Sequence, residues 1–440
     1  MTSETVDGRL ESLYDLVAED EDARACRDLD DRACDWVPRN FFVYLAANTL
    51  TKLGDALANP KTVIAWVMGA VGAPTAMVAW LVPLRESGAL LPQLALGAVV
   101  RRRSRRRPVW LLGSVLQAAA IGGCAVSAAL LSGVVAGAAI LGCIVVFSLA
   151  RSLNSLASKD LVGKTIPKGR RGRLGGYAAS LSGVATLAVG VWFALRGPAD
   201  ESRAFYAALL AGAALTWVVA SALVLSLREQ PGETDGGADG WREAWSRLDL
   251  LRREPAFRRF VLTRSLLLCS ALTAPFYVVL AREQGGGAIS LLGSFLVAGG
   301  LASSLSAPVW GRFADRSSRR VMIAAAVLTA AIGITVFVLV RHVPAAAQAS
   351  WLFPAAFFAL GVAHAGVRAG RKTYLVDLAG GVKRTDYVSV SNTLIGVVLL
   401  LVGTVTSALS FLAAEELILG MSLLGLAGAV LARTLPEVEA

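Results

Sequence analysis

The stretch AANTLTKLGDALANPKTVIAW, residues 46–66, lies inside an apolar segment long enough to cross a bilayer, yet it carries Asn48, Lys52, Asp55 and Asn59. These four are spaced by 4, 3 and 4 residues. At 100° per residue they fall on one helix face, within about 60°. A charge at mid-membrane costs roughly 2.5–3.5 kcal/mol, whereas a leucine returns only about 0.5. Such a stripe must face the interior of a helix bundle or a water-filled cavity.

The whole chain reads in the same way. Of its 440 residues 55% are hydrophobic and 17% charged, and the mean hydropathy is +0.60. Ordinary soluble domains carry about a quarter charged residues. Apolar segments fall near 41–66, 74–100, 108–130, 133–157, 174–196, 203–227, 258–281, 287–310, 320–341, 350–371, 387–411 and 413–433. Each matches the ~20 residues that a spanning helix needs. The expected fold is therefore an all-α membrane protein of twelve transmembrane helices.

Basic residues crowd alternate loops: RRRSRRR at 101–107, Lys159–Arg173, the linker 228–257, GRFADRSSRR at 311–320 and Arg371–Arg384. The intervening loops are nearly bare, so the positive-inside bias places both termini in the cytoplasm. The net charge of +11 expresses this bias and does not point to nucleic acid. Residues 1–40 form an acidic cytoplasmic segment, with twelve acids against five arginines and no apolar leader stretch. A solvated tail is expected there, with pairing to the basic loops as the alternative.

The linker at 228–257 divides the chain into six-helix halves, 41–227 and 258–434. Within it, ETDGGADG reads as flexible and WREAWSRLDLLRR as a helix on the membrane surface. Each half has a basic loop after its second span and a lysine-bearing loop after its fourth. Internal repeats of this kind build many secondary transporters, with the site between the halves.

The segment Gly311–Arg320 resembles the G-x-x-x-D-R-x-x-R-R motif of the major facilitator superfamily, through Gly311, Asp315, Arg316, Arg319 and Arg320. TKLGDAL in the first span and PKGRRGRLGG before the fifth look like the branch that holds macrolide and siderophore exporters. The resemblance covers roughly residues 40–434. It implies two six-helix repeats, alternating access, a monomer in the bacterial inner (plasma) membrane, and a gate in which Asp315 faces the start of the fifth span near Leu174–Gly176. In the first half the motif aligns with GAVVRRRSRR, where Arg101 replaces the aspartate. A helix N-terminus repels a cation, so this lock must be rewired or weak. The fifth span also lacks the G-P-x-x-G-G pattern of many drug/proton antiporters.

Arg85 and Glu86 lie midway along the second span, between Pro83 and Pro92 and beside Gly88, which suggests a broken helix lining a cavity. With Lys52 and Asp55 they form an expected cluster of two bases and two acids, and Asp55 or Glu86 is the candidate proton carrier. The alternative is that the four charges pair and only orient helices. The chain has seven lysines among 43 basic residues, and Lys52 and Lys61 are the two in the first span. Lysine shifts its pKa readily when buried and arginine does not, which favours Lys52 as a titrating or pairing group.

In the family the first, fourth, seventh and tenth spans line the central cavity. The fourth contributes Arg151 and Asn154, and the tenth His364 and Arg368 with Arg371 a turn beyond. Arg151 and Arg368 are candidate anchors for a substrate anion, His364 a candidate proton relay, and Thr273 and Tyr277 of the seventh span candidate neutral contacts. The charged machinery is expected mainly in the N-terminal half.

No metal-ligand cluster, nucleophile elbow or GxxxxGK[ST] loop is present, which argues against an enzyme and against primary active transport. The five cysteines read as small apolar thiols. A secondary transporter of a small organic solute is expected, driven by a proton gradient with no cofactor, and with the lipid bilayer and its substrate as partners. The exporter-like motifs lean towards efflux of amphipathic compounds. Proton-coupled uptake of a small organic anion is the alternative, and a sensor or lipid scramblase of the same fold is a further one.

Overall fold

The computed structural model of the chain describes residue 14 and residues 31–93, 96, 100, 102–195, 202–232, 234, 249–285, 288–314, 316–379 and 384–438. Among them every regular element is helical. The first span is two helices, α1 (Val37–Leu57) and α2 (Val63–Ala70), and the second is α3 (Thr75–Val78) followed by α4 (Leu81–Leu90). The third to sixth are α5 (Arg107–Leu130), α6 (Gly133–Thr165), α7 (Lys168–Leu195) and α8 (Arg203–Leu225).

The seventh span is α9 (Pro255–Leu266), α10 (Cys269–Leu272) and α11 (Ala274–Gly285). The remaining five are α12 (Ile289–Ala314), α13 (Ser318–His342), α14 (Leu352–Ala379), α15 (Arg384–Ala408) and α16 (Ala414–Ala432). Ten spans among the described residues are long and apolar enough to cross a membrane. The first two, each of them broken into two helices, are not among the ten.

The break in the first span follows from Asn59-Pro60-Lys61. Proline has no N–H and its ring pushes the preceding residue out of the α region, so α1 ends at Leu57. Asn59 then holds the turn. Its carbonyl accepts from the amides of Thr62 (3.2 Å) and Ile64 (3.0 Å), and its side-chain oxygen accepts from the amide of Lys61 (2.8 Å). Asn59 therefore lies outside the helix whose polar face it was expected to extend.

The second span corrects a different expectation. Its helix runs unbroken through Pro83 and Gly88 and is interrupted instead at Ala79–Trp80 and at Leu91–Pro92. Pro83 sits in the first turn of α4, where no intrahelical N–H is required. Gly88 permits a close approach, since a Cβ there would collide with Ser148 Oγ of α6.

The two halves meet where α7 packs on α12, α4 on α15 and α2 on α11. A Cβ on Gly293 would run into the Ala194 backbone nitrogen and come within 2.6 Å of the Gly190 carbonyl. Beside α2, Arg282 of α11 lies over the Trp66 ring at 5.3 Å, and Trp66 donates to Tyr206 Oη at 3.0 Å.

Of the acidic segment 1–40 the described residues are 31–40 and Tyr14. Tyr14 is buried against Phe41, with Arg170 stacked over its ring at 4.7 Å and bonded to its hydroxyl. The rest of the expected tail, and most of the expected surface helix in the linker, lie outside the described residues. Cys34 is disulfide-bonded, which corrects its reading as a thiol, while Cys124, Cys143 and Cys269 are free.

Candidate functional site

A cavity of 320 Å³ lies between the halves, lined from the first, second, seventh, tenth and eleventh spans. Its polar wall is Lys61, Glu86, Arg264, Ser270, His364, Arg368 and Arg371; Leu90, Leu267, Leu268, Ala271, Val367, Ile395 and Leu399 form the apolar wall.

Lys61 reaches this cavity because the Asn59–Thr62 turn releases it from the helix. Its ammonium lies 3.3 Å from His364 Nε2, and His364 Nδ1 lies 3.1 Å from Ser270 Oγ. Ser270 in turn donates to the Leu267 carbonyl at 3.0 Å. The chain is self-consistent in one direction only. Lys61 donates to Nε2, the Nδ1–H donates to Ser270, and the imidazole is neutral, since an imidazolium would present a second proton to the ammonium.

Arg264 is 7% exposed and donates to Ser391 Oγ (2.6 Å) and Asn392 Oδ1 (3.0 Å) of α15. Arg368 and Arg371, three residues apart on α14, have no hydrogen-bond or ion-pair partner among the described residues. Each carries five N–H donors in a fixed fork, so a large donor capacity faces the cavity. Glu86, the cavity's one carboxylate among the described residues, likewise has no partner there within ion-pair distance.

The expected cluster of Lys52, Asp55, Arg85 and Glu86 is divided by the structure. Asp55 binds Arg151, and Arg85 lies 3.6 Å from its other oxygen while stacking 4.8 Å above Phe147. Glu86 belongs to the cavity, one helical position away. Lys52 is exposed and pairs with neither acid, so the first-span lysine of the cavity is Lys61. Asn48 is partly buried on the same stretch of α1.

The other expected substrate contacts are dispersed. Asn154 bonds Ser114 and Gln117 inside the N-terminal half, at 2.8 and 2.9 Å. Thr273 turns back onto the Cys269 carbonyl, and Tyr277 is buried in the core; neither lines the cavity. His364 and Arg368 do line it. Most of the cavity's charge thus comes from the C-terminal half, contrary to the expectation that the charged machinery lies mainly in the N-terminal half. Arg264 was missed because it sits near the start of the seventh span, directly before the apolar run SLLLCSAL.

At the basic end each half carries a similar clasp. Arg107 Nη1 donates to the Leu225 and Leu227 carbonyls at 3.2 and 2.9 Å, and Glu229 accepts from the amides of Arg106 and Arg107 at 2.6 and 2.8 Å. In the second half Arg319 donates to the Leu435 carbonyl at 2.8 Å and to Glu437 at 2.8 Å, and Arg320 lies 3.8 Å from Glu437. Ser317 caps α13 and also donates to Glu437.

The counterpart of Arg319 is therefore Arg107, two positions beyond the Arg105 that a gapless alignment on Gly97 and Gly311 selects. The acid of the first clasp comes from the end of the sixth span, and Asp160 of α6 adds a bond to Arg106. Gly311 is partly buried and Arg316 exposed; Asp315 and Arg101 lie outside the described residues.

Residues 268–440 match the sequence family described as Major Facilitator Superfamily. No curated protein matches the chain in sequence. Its fold is similar to the crystal structure of a D-xylose-proton symporter, with a TM-score of 0.68 at 14% identity over 91% of this chain and 99% of that one. A mutant of the nucleoside transporter NupG gives 0.69 at 12% identity, over 89% and 99%. The inward open conformation of the xylose transporter XylE from E. coli gives 0.65 at 12%, over 91% and 96%. At these identities the likeness is one of fold: the chain has the helical architecture of membrane transporters, in two six-helix repeats.

Proposed function

We propose that the protein is a secondary active transporter that carries a small organic anion by alternating access, coupled to protons through Glu86. The observation that carries this reading is the pair Arg368 and Arg371, unpartnered cations facing a cavity between two six-helix repeats, with Lys61 opposite. Arg368 is exposed and Arg371 partly buried, so both can meet a solute that enters the cavity, and an anionic solute supplies the missing partner.

The exporter-like motifs lean towards efflux of amphipathic compounds, whereas the cation-rich cavity favours the anion, and we take the latter. Glu86 is the carboxylate that can exchange a proton without breaking an existing bond. Asp55 is already engaged by two arginines. We place the protein as a monomer in the bacterial inner membrane, with both termini and the clasps on the cytoplasmic face.

The test is transport-coupled pH change in proteoliposomes, with a panel of organic anions and cationic drugs. An organic anion should move protons with the wild type, and Glu86→Gln should abolish the proton movement while the protein stays folded. Symport or antiport follows from the sign of the pH change. Transport of the cationic drugs alone would sink the anion reading, and unchanged proton movement in Glu86→Gln would remove Glu86 as the carrier.

A further inference from the structure

The cation count of the cavity exceeds what a singly charged solute can answer. Lys61, Arg264, Arg368 and Arg371 face a single acid, Glu86, and His364 is neutral by its hydrogen bonds. Arg264 is satisfied by the neutral side chains Ser391 and Asn392. A monocarboxylate would still leave two surplus cations lining one cavity.

The geometry also limits how that negative charge is distributed. Arg368 and Arg371 stand at i and i+3 on α14, so their side chains are neighbours, about 5–6 Å apart at Cβ. His364, which holds Lys61 from across the seam, is one turn before Arg368 on the same helix. Two guanidinium forks and an ammonium therefore converge on one small region and are not strung along the cavity. A dicarboxylate with its charges at opposite ends would need two separate basic poles.

We infer that the solute enters this site by a compact dianionic head, a phosphomonoester, with an apolar body against Leu267, Leu268, Ile395 and Leu399. The inference rests on the anion reading above and names the class of anion. Three terminal oxygens on one phosphorus give a compact set of acceptors, and arginine forks match them bidentately. The volume of 320 Å³ is near the lower end of small-molecule pockets, ~300–1,000 Å³. A head of this size with one ring fits that space.

Phenyl phosphate, phenylsuccinate and benzoate provide the comparison, with tetraphenylphosphonium as a cation, each titrated into the purified full-length protein in detergent with binding read by thermal stabilisation. Phenyl phosphate should bind about ten- to a hundredfold more tightly than benzoate, the range of one to two charge-assisted bonds. Its advantage should shrink as pH falls through about 6, where the phosphomonoester loses its second charge. Arg368→Gln and Arg371→Gln should each remove most of the advantage. The pH series on the wild type serves as the independent arm if a variant does not fold.

Equal or tighter binding of phenylsuccinate overturns the phosphomonoester, and benzoate binding as tightly as phenyl phosphate overturns the dianion while leaving the anion transporter intact. Absence of binding by all three anions overturns the inference. Binding of tetraphenylphosphonium alone overturns the anion reading itself.

Discussion

Lys61 Nζ and His364 Nε2 lie 3.3 Å apart, joining the first span to the tenth across the seam between the halves. The pair fixes where the ammonium sits, and the turn at Pro60 makes it possible. Lys61→Met should raise the KM for a transported anion by at least about tenfold, the loss of one charge-assisted bond. His364→Ala should raise KM less and leave kcat nearly unchanged, because His364 positions Lys61. A kcat loss as large as the KM rise would instead make His364 part of the transport step.

Pro60→Ala separates the turn from the lysine. With an ordinary residue before Lys61, α1 can continue and carry the ammonium around the helix. Pro60 stands in the turn and not inside a helix, so thermal stability should change by no more than about 1 kcal/mol, while anion binding falls at least about tenfold, the loss of one charge-assisted bond. Circular dichroism and a binding titration on the same sample check both halves of the expectation.

Asp55→Asn and Glu86→Gln should behave differently. Asp55 neutralises both Arg85 and Arg151, whose side chains are 14% and 30% exposed. Removing its charge should destabilise the fold by about 1–3 kcal/mol, the usual effect of stranding charged donors. Glu86 has no such partner among the described residues, so Glu86→Gln should leave the melting temperature within a degree or two, under about 0.5 kcal/mol. A Glu86→Gln protein as unstable as Asp55→Asn would show that Glu86 holds the helices together.

The two clasps predict a ranking. The Glu229 side chain is 2% exposed and accepts two backbone amides, whereas Glu437 is 36% exposed. Glu229→Gln should cost about 1–3 kcal/mol and Glu437→Gln about 0–1 kcal/mol, read as shifts in denaturant midpoint. The opposite order would mean that the second clasp carries more of the stability.

The span count, the halves and the basic loops were legible in the sequence because they rest on composition over windows of twenty residues. The site was legible only in part. His364 and Arg368 were found because helical spacing holds along an unbroken α14. Lys52 was preferred to Lys61 because the same spacing was extended through Pro60, where the helix stops and the phase is lost. Asn-Pro was the signal available, and it marks a turn wherever it stands. Arg264 and the split between Asp55 and Glu86 depend on how helices pack against one another, which no single-helix period contains.

Gly293 sets the distance between α7 and α12 so closely that Gly293→Ala must push the helices apart, at about 1–3 kcal/mol. A matching drop in melting temperature checks this, and an unchanged one would mean that the two backbones separate without cost.

The clasps have a mechanical consequence. Arg107 with Glu229 and Arg319 with Glu437 each join elements of the same half, and neither crosses the seam. Each half is thus a sealed casting, and a change of shape need not break either lock. The contacts between the castings are made elsewhere, by glycines, an indole and one stacked arginine.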